Sequence, residues 1–190
     1  MTTAIRSCRS AWAHMTEVSK EQAVRNHVQS LDMSDYLVET DVFPKEVLEA
    51  YSALNMEKEI SAEQAQFISE HRGGVQGDYS KGMAHKIANV VDCLTKFPQS
   101  KRAVIAVCNE PMAAHSDDAN AKCLREIHLY MDEDNKLSGT AFFRAQAAFL
   151  FPKNIHLIGS IMSEIAGQLP QKPALGNLFY VATILVADRT

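Results

Sequence analysis

Two neighbouring stretches near the middle of the chain leave little freedom in what it can become. Leu124 to Met131 alternates, with Ile127, Leu129 and Met131 on one face and Glu126, His128 and Tyr130 on the other. That is the period of a strand with one buried side. Asp132-Glu133-Asp134-Asn135 reads as a turn, and Leu137 to Arg144 as the return strand of a hairpin. Upstream, Ala103-Val104-Ile105-Ala106-Val107 is a continuous apolar run, the mark of a buried strand. Strands of this kind require a sheet with helices over it.

Helical patterns supply the cover. Ala11, Trp12, Met15 and Val18 make one stripe, and the first part of the chain reads as helical. Val47, Leu48, Tyr51 and Leu54 recur at helical spacing after Pro44, a residue suited to a helix start. Ser61-Ala62-Glu63-Gln64 has the form of a capping box, with Gly73-Gly74 expected to stop the helix it opens. Ile87, Val90, Val91 and Leu94 form another stripe. Asn154 is placed to cap a helix whose apolar face is Ile155, Ile158, Ile161, Met162 and Ile165, and Gly176 to Ala187 closes the chain as a strand. The glycine-rich stretch HRGGVQGDYSKG follows no strand and lacks the spacing of a phosphate loop, so it reads as a surface loop. The expectation is one α+β domain, residues 1–190, with a largely buried sheet.

Composition narrows the function. With 190 residues, 46% of them hydrophobic, a single core can be filled. A formal charge of −4 gives no basic footprint for a nucleic acid polymer, while a single nucleotide held by a few arginines is compatible with it. Four cysteines form no CxxC pair, no signal peptide is visible, and no apolar run has the length of a membrane span. The plain reading is a reduced, soluble, cytoplasmic protein with no membrane partner. The seven histidines show no HxxxH or HExxH spacing, and no metal site is expected.

The order of pieces in the second half resembles the thymidylate synthase family and its pyrimidine-nucleotide hydroxymethylase relatives. In DCLTKFPQSKRAVIAVCNE, a helix ends, a proline turn follows, and Lys101-Arg102 stands where the family usually has two arginines before a strand. In AKCLREIHLYM, Cys123 lies seven positions before Tyr130, as the family's catalytic cysteine does. KLSGTAFFRAQAAFLFPKN then carries Arg144, Phe151, Pro152 and Asn154 in family order. The match runs from roughly Ile87 to Val186, about half the chain, and rests on ordered spacing rather than on one motif.

The resemblance implies a thymidylate-synthase-like mixed sheet and a homodimer. It also implies methyl or hydroxymethyl transfer to C5 of a pyrimidine nucleotide. Cys123 would be the nucleophile that adds to C6 and makes C5 reactive. A thiol attacks as thiolate, so positive charge beside it is useful, and Arg144 is the candidate for that and for the nucleotide phosphate. Lys101 and Arg102 would complete the phosphate site across the dimer interface. Asn154 would read the base edge through its donor and acceptor, with uracil favoured. The implied one-carbon donor is 5,10-methylenetetrahydrofolate.

Departures from the family pattern set up rival expectations. Ala145 replaces a phosphate-binding serine, and Ala147 (or Gln146, with a shifted gap) replaces the folate-binding aspartate. Val186 and Asp188 fall where a histidine and a tyrosine bind the sugar. The chain ends at Thr190, ahead of the family's folate-closing tail, and Glu70 is only a guess for the proton-handling glutamate. The alternatives are a binding or regulatory homologue without turnover, and the same scaffold using Cys123 on another small substrate. Each residue also has a plainer reading: Cys123 as core filler, Arg144 and Lys101-Arg102 as solvated charge, Asn154 as a helix cap. Cys93, Cys108 and His128 are expected to be structural.

Overall fold

The longest pairing in the protein joins a strand near the N-terminus to the last one. In the computed structural model, residues 4–68, 79–107 and 122–188 are described. Strand β1 (Ile5–Ser7) leads directly into helix α1 (Cys8–Val18), capped by Ser7 through its side chain to the Ser10 N–H. The chain returns as β2 (Val24–Asp32), parallel to β1 and antiparallel to β7 (Leu175–Val186). Helices α2 (Lys45–Asn55), α3 (Ala62–Ala65) and α4 (Met83–Lys96) follow, then β3 (Val104–Ala106), β4 (Leu124–Met131) and β5 (Leu137–Phe143). After β5 come the two-residue strand β6 (Gln146–Ala147), a 3-10 turn (Ala148–Leu150) and helix α5 (Phe151–Gln168). The sheet order is β1-β2-β7-β5-β4-β3, with β6 added beside β7. Parallel and antiparallel neighbours are mixed, as the α+β reading anticipated.

One face of this sheet is sealed. Ile105, Ile127, Leu129, Ala141, Phe143, Leu178, Tyr180, Ala182 and Leu31 are buried along it. Helix α5 crosses over to link the parallel neighbours β5 and β7, the only kind of link such a pair permits. Its expected stripe of Ile155, Ile158, Ile161, Met162 and Ile165 is fully buried. Helices α1, α2 and α4 also pack on α5, which explains why Leu157 and Gly159, off that stripe, are buried too. The opposite sheet face is open: Val28, Phe179 and Tyr130 are 39%, 40% and 43% exposed, and half-buried Val181 and Phe142 lie in register with Val28.

Three expectations need correction. The first part of the chain is not all helix, because residues 24–32 form β2. Its inward positions include His27 and Gln29, which erase the apolar alternation that would announce a strand. The capping box at Ser61 and Gln64 is present in both directions, but its helix spans only four residues. Asn154 is no cap: α5 starts at Phe151, with Leu150 at the N-cap, so Asn154 lies within the first turn and is buried. The stretch from Glu70 through Gly73 and Gly74, and Cys108, lie outside the described residues.

The joint between α2 and α5 is polar. Ser52 Oγ lies 2.7 Å from His156 Nδ1, and burial pushes the imidazole down to about 4, with a hydrogen bond to the Leu48 backbone opposing and Lys45 assisting. The ordinary value is 6.5, so between pH 6.5 and 4 the unfolded chain binds more protons at this site. Stability present above pH 6.5 is therefore lost progressively as the pH falls toward 4, by up to roughly 3 kcal/mol. Urea titrations at pH 7 and 4.5 should show a smaller loss for His156→Gln than for the parent. Equal losses would remove His156 from the acid response. Beside it, Tyr36 lies so close to Gly159 that an added Cβ would sit 2.2 Å from the ring. Gly159→Ala is expected to cost ~1–3 kcal/mol by overpacking, read as a lower urea midpoint.

Candidate functional site

The chain leaves the sheet after Phe143 and must turn before α5 can start. That turn meets the residue preceding β4. The Arg144 N–H donates to the Cys123 carbonyl at 2.9 Å, and Arg144 Nε donates to the Lys122 carbonyl at 3.2 Å. Cys123 is half-buried against the core and outside any disulfide, and Arg144 is exposed. Of the other described thiols, Cys8 is sealed, and burial, with Asp32 and Asp35 nearby, pushes it up to about 12. Cys93 lies 3.2 Å from Ser100 Oγ, away from this turn.

Behind Cys123 lies a group of buried polar side chains. Tyr180, on the inward face of β7, is stacked on Phe143 at 4.9 Å and meets Phe151 edge-on at 5.6 Å. Complete burial raises its phenol well above the ordinary value, with Tyr79 and Cys123 adding to the rise, so the hydroxyl stays a neutral donor. It donates to Gln146 Oε1 at 2.6 Å, and Asn154 Nδ2 donates to the same oxygen at 2.9 Å. Tyr79 joins from the loop before α4: its N–H donates to Asn55 Oδ1, and its hydroxyl lies 3.5 Å from the Leu124 N–H. Cys123, Arg144, Asn154, Gln146, Tyr180 and Tyr79 thus form one connected neighbourhood.

Lys101 and Arg102 are not in it. Both are exposed at the start of β3, where Ala103 pairs with Leu129. Leu129 lies six residues along β4 from Cys123, roughly 20 Å at about 3.3 Å per strand residue. Within a single chain they do not reach the cysteine.

Tyr180 and Tyr79 carry no motif in the sequence, and Gln146 stands there only as the alternative position for a lost aspartate. A signal existed for Tyr180: it alternates with Leu178 and Ala182 on an inward face, and a buried phenol needs a hydrogen-bond partner. His128, by contrast, is exposed and pairs with Glu126 at 3.3 Å.

The rim beyond β6 is apolar. Ala147 pairs with Val186 in the sheet, and both join a small cluster with Phe43, Leu48, Leu150 and Phe149. The Phe43 and Phe149 rings are 5.5 Å apart. Among the described residues no group of three or more potential metal ligands occurs, and no helix is long and apolar enough to cross a membrane.

No protein-family model matches the chain, and no curated protein matches it in sequence. Among solved structures it is similar to thymidylate synthase from T4 phage, with a TM-score of 0.64 and 15% sequence identity. The similarity covers 86% of this chain and 66% of that one, so the chain spans just under two thirds of the phage enzyme. At that identity the likeness concerns the fold, which is thymidylate-synthase-like: a single domain whose mixed sheet is packed against helices.

Proposed function

We propose that the chain binds a uracil-type pyrimidine nucleotide and uses Cys123 to activate C5 for transfer of a one-carbon group. What supports the reading is that the Arg144 N–H bonds the Cys123 carbonyl, and that Asn154 bonds Gln146, which bonds Tyr180, whose phenol feels Cys123, all on this fold. In the reaction, the Cys123 sulfur bonds to C6 and the C5–C6 π pair moves toward C5 and the adjoining carbonyl. C5 then attacks the donor carbon and gives up its proton to a base, and the bond from that carbon to the donor breaks with its pair leaving on the donor. Addition of water (for hydroxymethyl) or of hydride from a reduced donor (for methyl) to the resulting exocyclic methylene expels the sulfur and restores the C5–C6 double bond. Arg144 presents its guanidinium to the phosphate. Asn154 hydrogen-bonds the base. The donor implied by the resemblance is 5,10-methylenetetrahydrofolate, but the residues at its expected place do not match its polar edge, since Ala147 lies in an apolar cluster.

One observation favours a second reading, a nucleotide-binding homologue without folate-dependent turnover. Ala147 and Val186 stand where folate and sugar contacts are expected, and here they belong to one apolar cluster. The same cluster would suit a different, less polar substrate at Cys123.

Incubation with 5-fluoro-dUMP and methylenetetrahydrofolate is expected to give a covalent adduct by intact mass, absent in Cys123→Ala. Exchange of the dUMP C5 hydrogen without adduct would restrict the chemistry to the first addition. Binding with neither would leave the second reading, and no binding would reject both.

Two chains would complete the site. Lys101 and Arg102, remote from Cys123 in their own chain, would supply phosphate contacts to a second copy. The open sheet face, with Val28, Phe179 and Tyr130, is the surface for that pairing. Phe179→Lys should convert a dimer to a monomer by light scattering and weaken nucleotide binding about tenfold or more as cross-chain cations are lost. A parent protein that is monomeric at micromolar concentration would reject the arrangement.

A further inference from the structure

Gln146 is the hub of the buried polar group, and its orientation is forced. Its Nε2 lies 2.5 Å from the Ala147 carbonyl, an atom that can only accept. The amide nitrogen must therefore face that carbonyl, which turns Oε1 toward Tyr180 and Asn154. Both donate to it, at 2.6 and 2.9 Å. Asn154 must in turn present its nitrogen to Gln146. Its own oxygen, Oδ1, has no partner among the described residues. It is also not one of the sealed unpartnered atoms, which are Trp12 Nε1 and His27 Nε2.

All three side chains are buried: Tyr180 is 0%, Gln146 2% and Asn154 7% exposed. Turning the Asn154 amide over would set oxygen against oxygen at Gln146. Turning Gln146 as well would set oxygen against the Ala147 carbonyl. Water is excluded there and cannot relieve either clash.

We propose that Gln146 and Tyr180 are positioning residues. They lock the Asn154 amide in one orientation, carbonyl oxygen away from Gln146, and so set the preference for uracil over cytosine. The inference rests on the nucleotide site proposed above. Uracil offers an N3 donor beside a carbonyl acceptor, whereas cytosine offers an N3 acceptor beside an amino donor. A free amide can flip to suit either base. A locked amide meets only one of them, with its oxygen accepting from the uracil N3–H and its remaining N–H facing the adjacent carbonyl.

The test is calorimetry with dUMP and dCMP on the parent, Tyr180→Phe and Gln146→Leu, each checked for folding by near-ultraviolet circular dichroism. The parent should prefer dUMP by about tenfold or more. In Gln146→Leu the ratio should fall toward one, by a larger factor than dUMP affinity itself falls; in Tyr180→Phe, where the Ala147 carbonyl still holds Gln146, it should fall by less. A ratio held within about twofold in folded Gln146→Leu, or a parent that prefers dCMP, overturns the proposal. The lock has its own readout in the side-chain NH2 signals of Asn154 by nitrogen-15 NMR. Hydrogen exchange there should be slow in the parent and fast in Gln146→Leu, and unchanged exchange overturns the lock. If neither nucleotide binds, the nucleotide site fails and base preference fails with it, while the NMR result judges the lock independently.

Discussion

The parallel pairing of β5 with β7 constrains everything else. Parallel neighbours cannot be joined by a tight turn, so the chain must leave the sheet after Phe143 and return only after crossing it. The crossing element is α5, buried on most of its surface between sheet and helices. The exit, between Phe143 and the first turn of α5, holds Arg144, Gln146 and Asn154. Because β4 runs antiparallel to β5, the start of β4 lies at the same end, and Cys123 comes with it. The candidate site is thus a consequence of strand directions. A register slip in β5 would take the arginine away from the cysteine while turning Phe143 out of the core.

How much of this was legible follows from which residues carry an unambiguous period. The β4–β5 hairpin and the α5 stripe could be read because apolar and polar residues separate cleanly at Ile127, Leu129 and Met131, and at Ile155, Ile158 and Ile161. Strand β2 could not, since two of its inward residues are polar: Gln29, which bonds Arg6 and Ala4 far off in sequence, and His27, whose Nε2 has no partner among the described residues. Asn154 misled for a related reason. Local sequence offers an asparagine before an apolar run, which suits a cap, but its amide is claimed by Gln146 across the turn. The cysteine and the arginine were visible by spacing. The Gln146 hub that joins Tyr180 to Asn154 was not, because a glutamine inside a short strand has no sequence signature until its neighbours are known.

The inside of the site and its rim differ in kind. Near Cys123 the buried groups are polar and joined through Gln146, which accepts from both Tyr180 and Asn154, while the Asn154 oxygen is left over. Toward β6 and the end of β7 the lining is hydrocarbon, with Ala147 and Val186 packed beside Phe43 and Leu150. A polar cofactor edge would meet no matching groups on that apolar side. On the proposed function, that favours contacts to a base over contacts to a second, highly polar molecule beside it.

That difference bears on the separation of Lys101 and Arg102 from Cys123. Arg144 is one cation, its Nε engaged with the Lys122 carbonyl, and Ala145 next to it offers no hydroxyl. Arg125, whose Nη1 lies 3.5 Å from the same Lys122 carbonyl, is a second cation here, and on the proposed function a phosphate dianion would draw on further charge still. The chain does carry it, at the far end of β4, on a sheet whose open face is unusually rich in valine and aromatic side chains. An apolar sheet face and a distant pair of cations are two puzzles for a monomer. The proposed pairing of two chains through this face gives them a common answer, since a face that covers Val28 and Phe179 leaves each copy's cations free to serve the other.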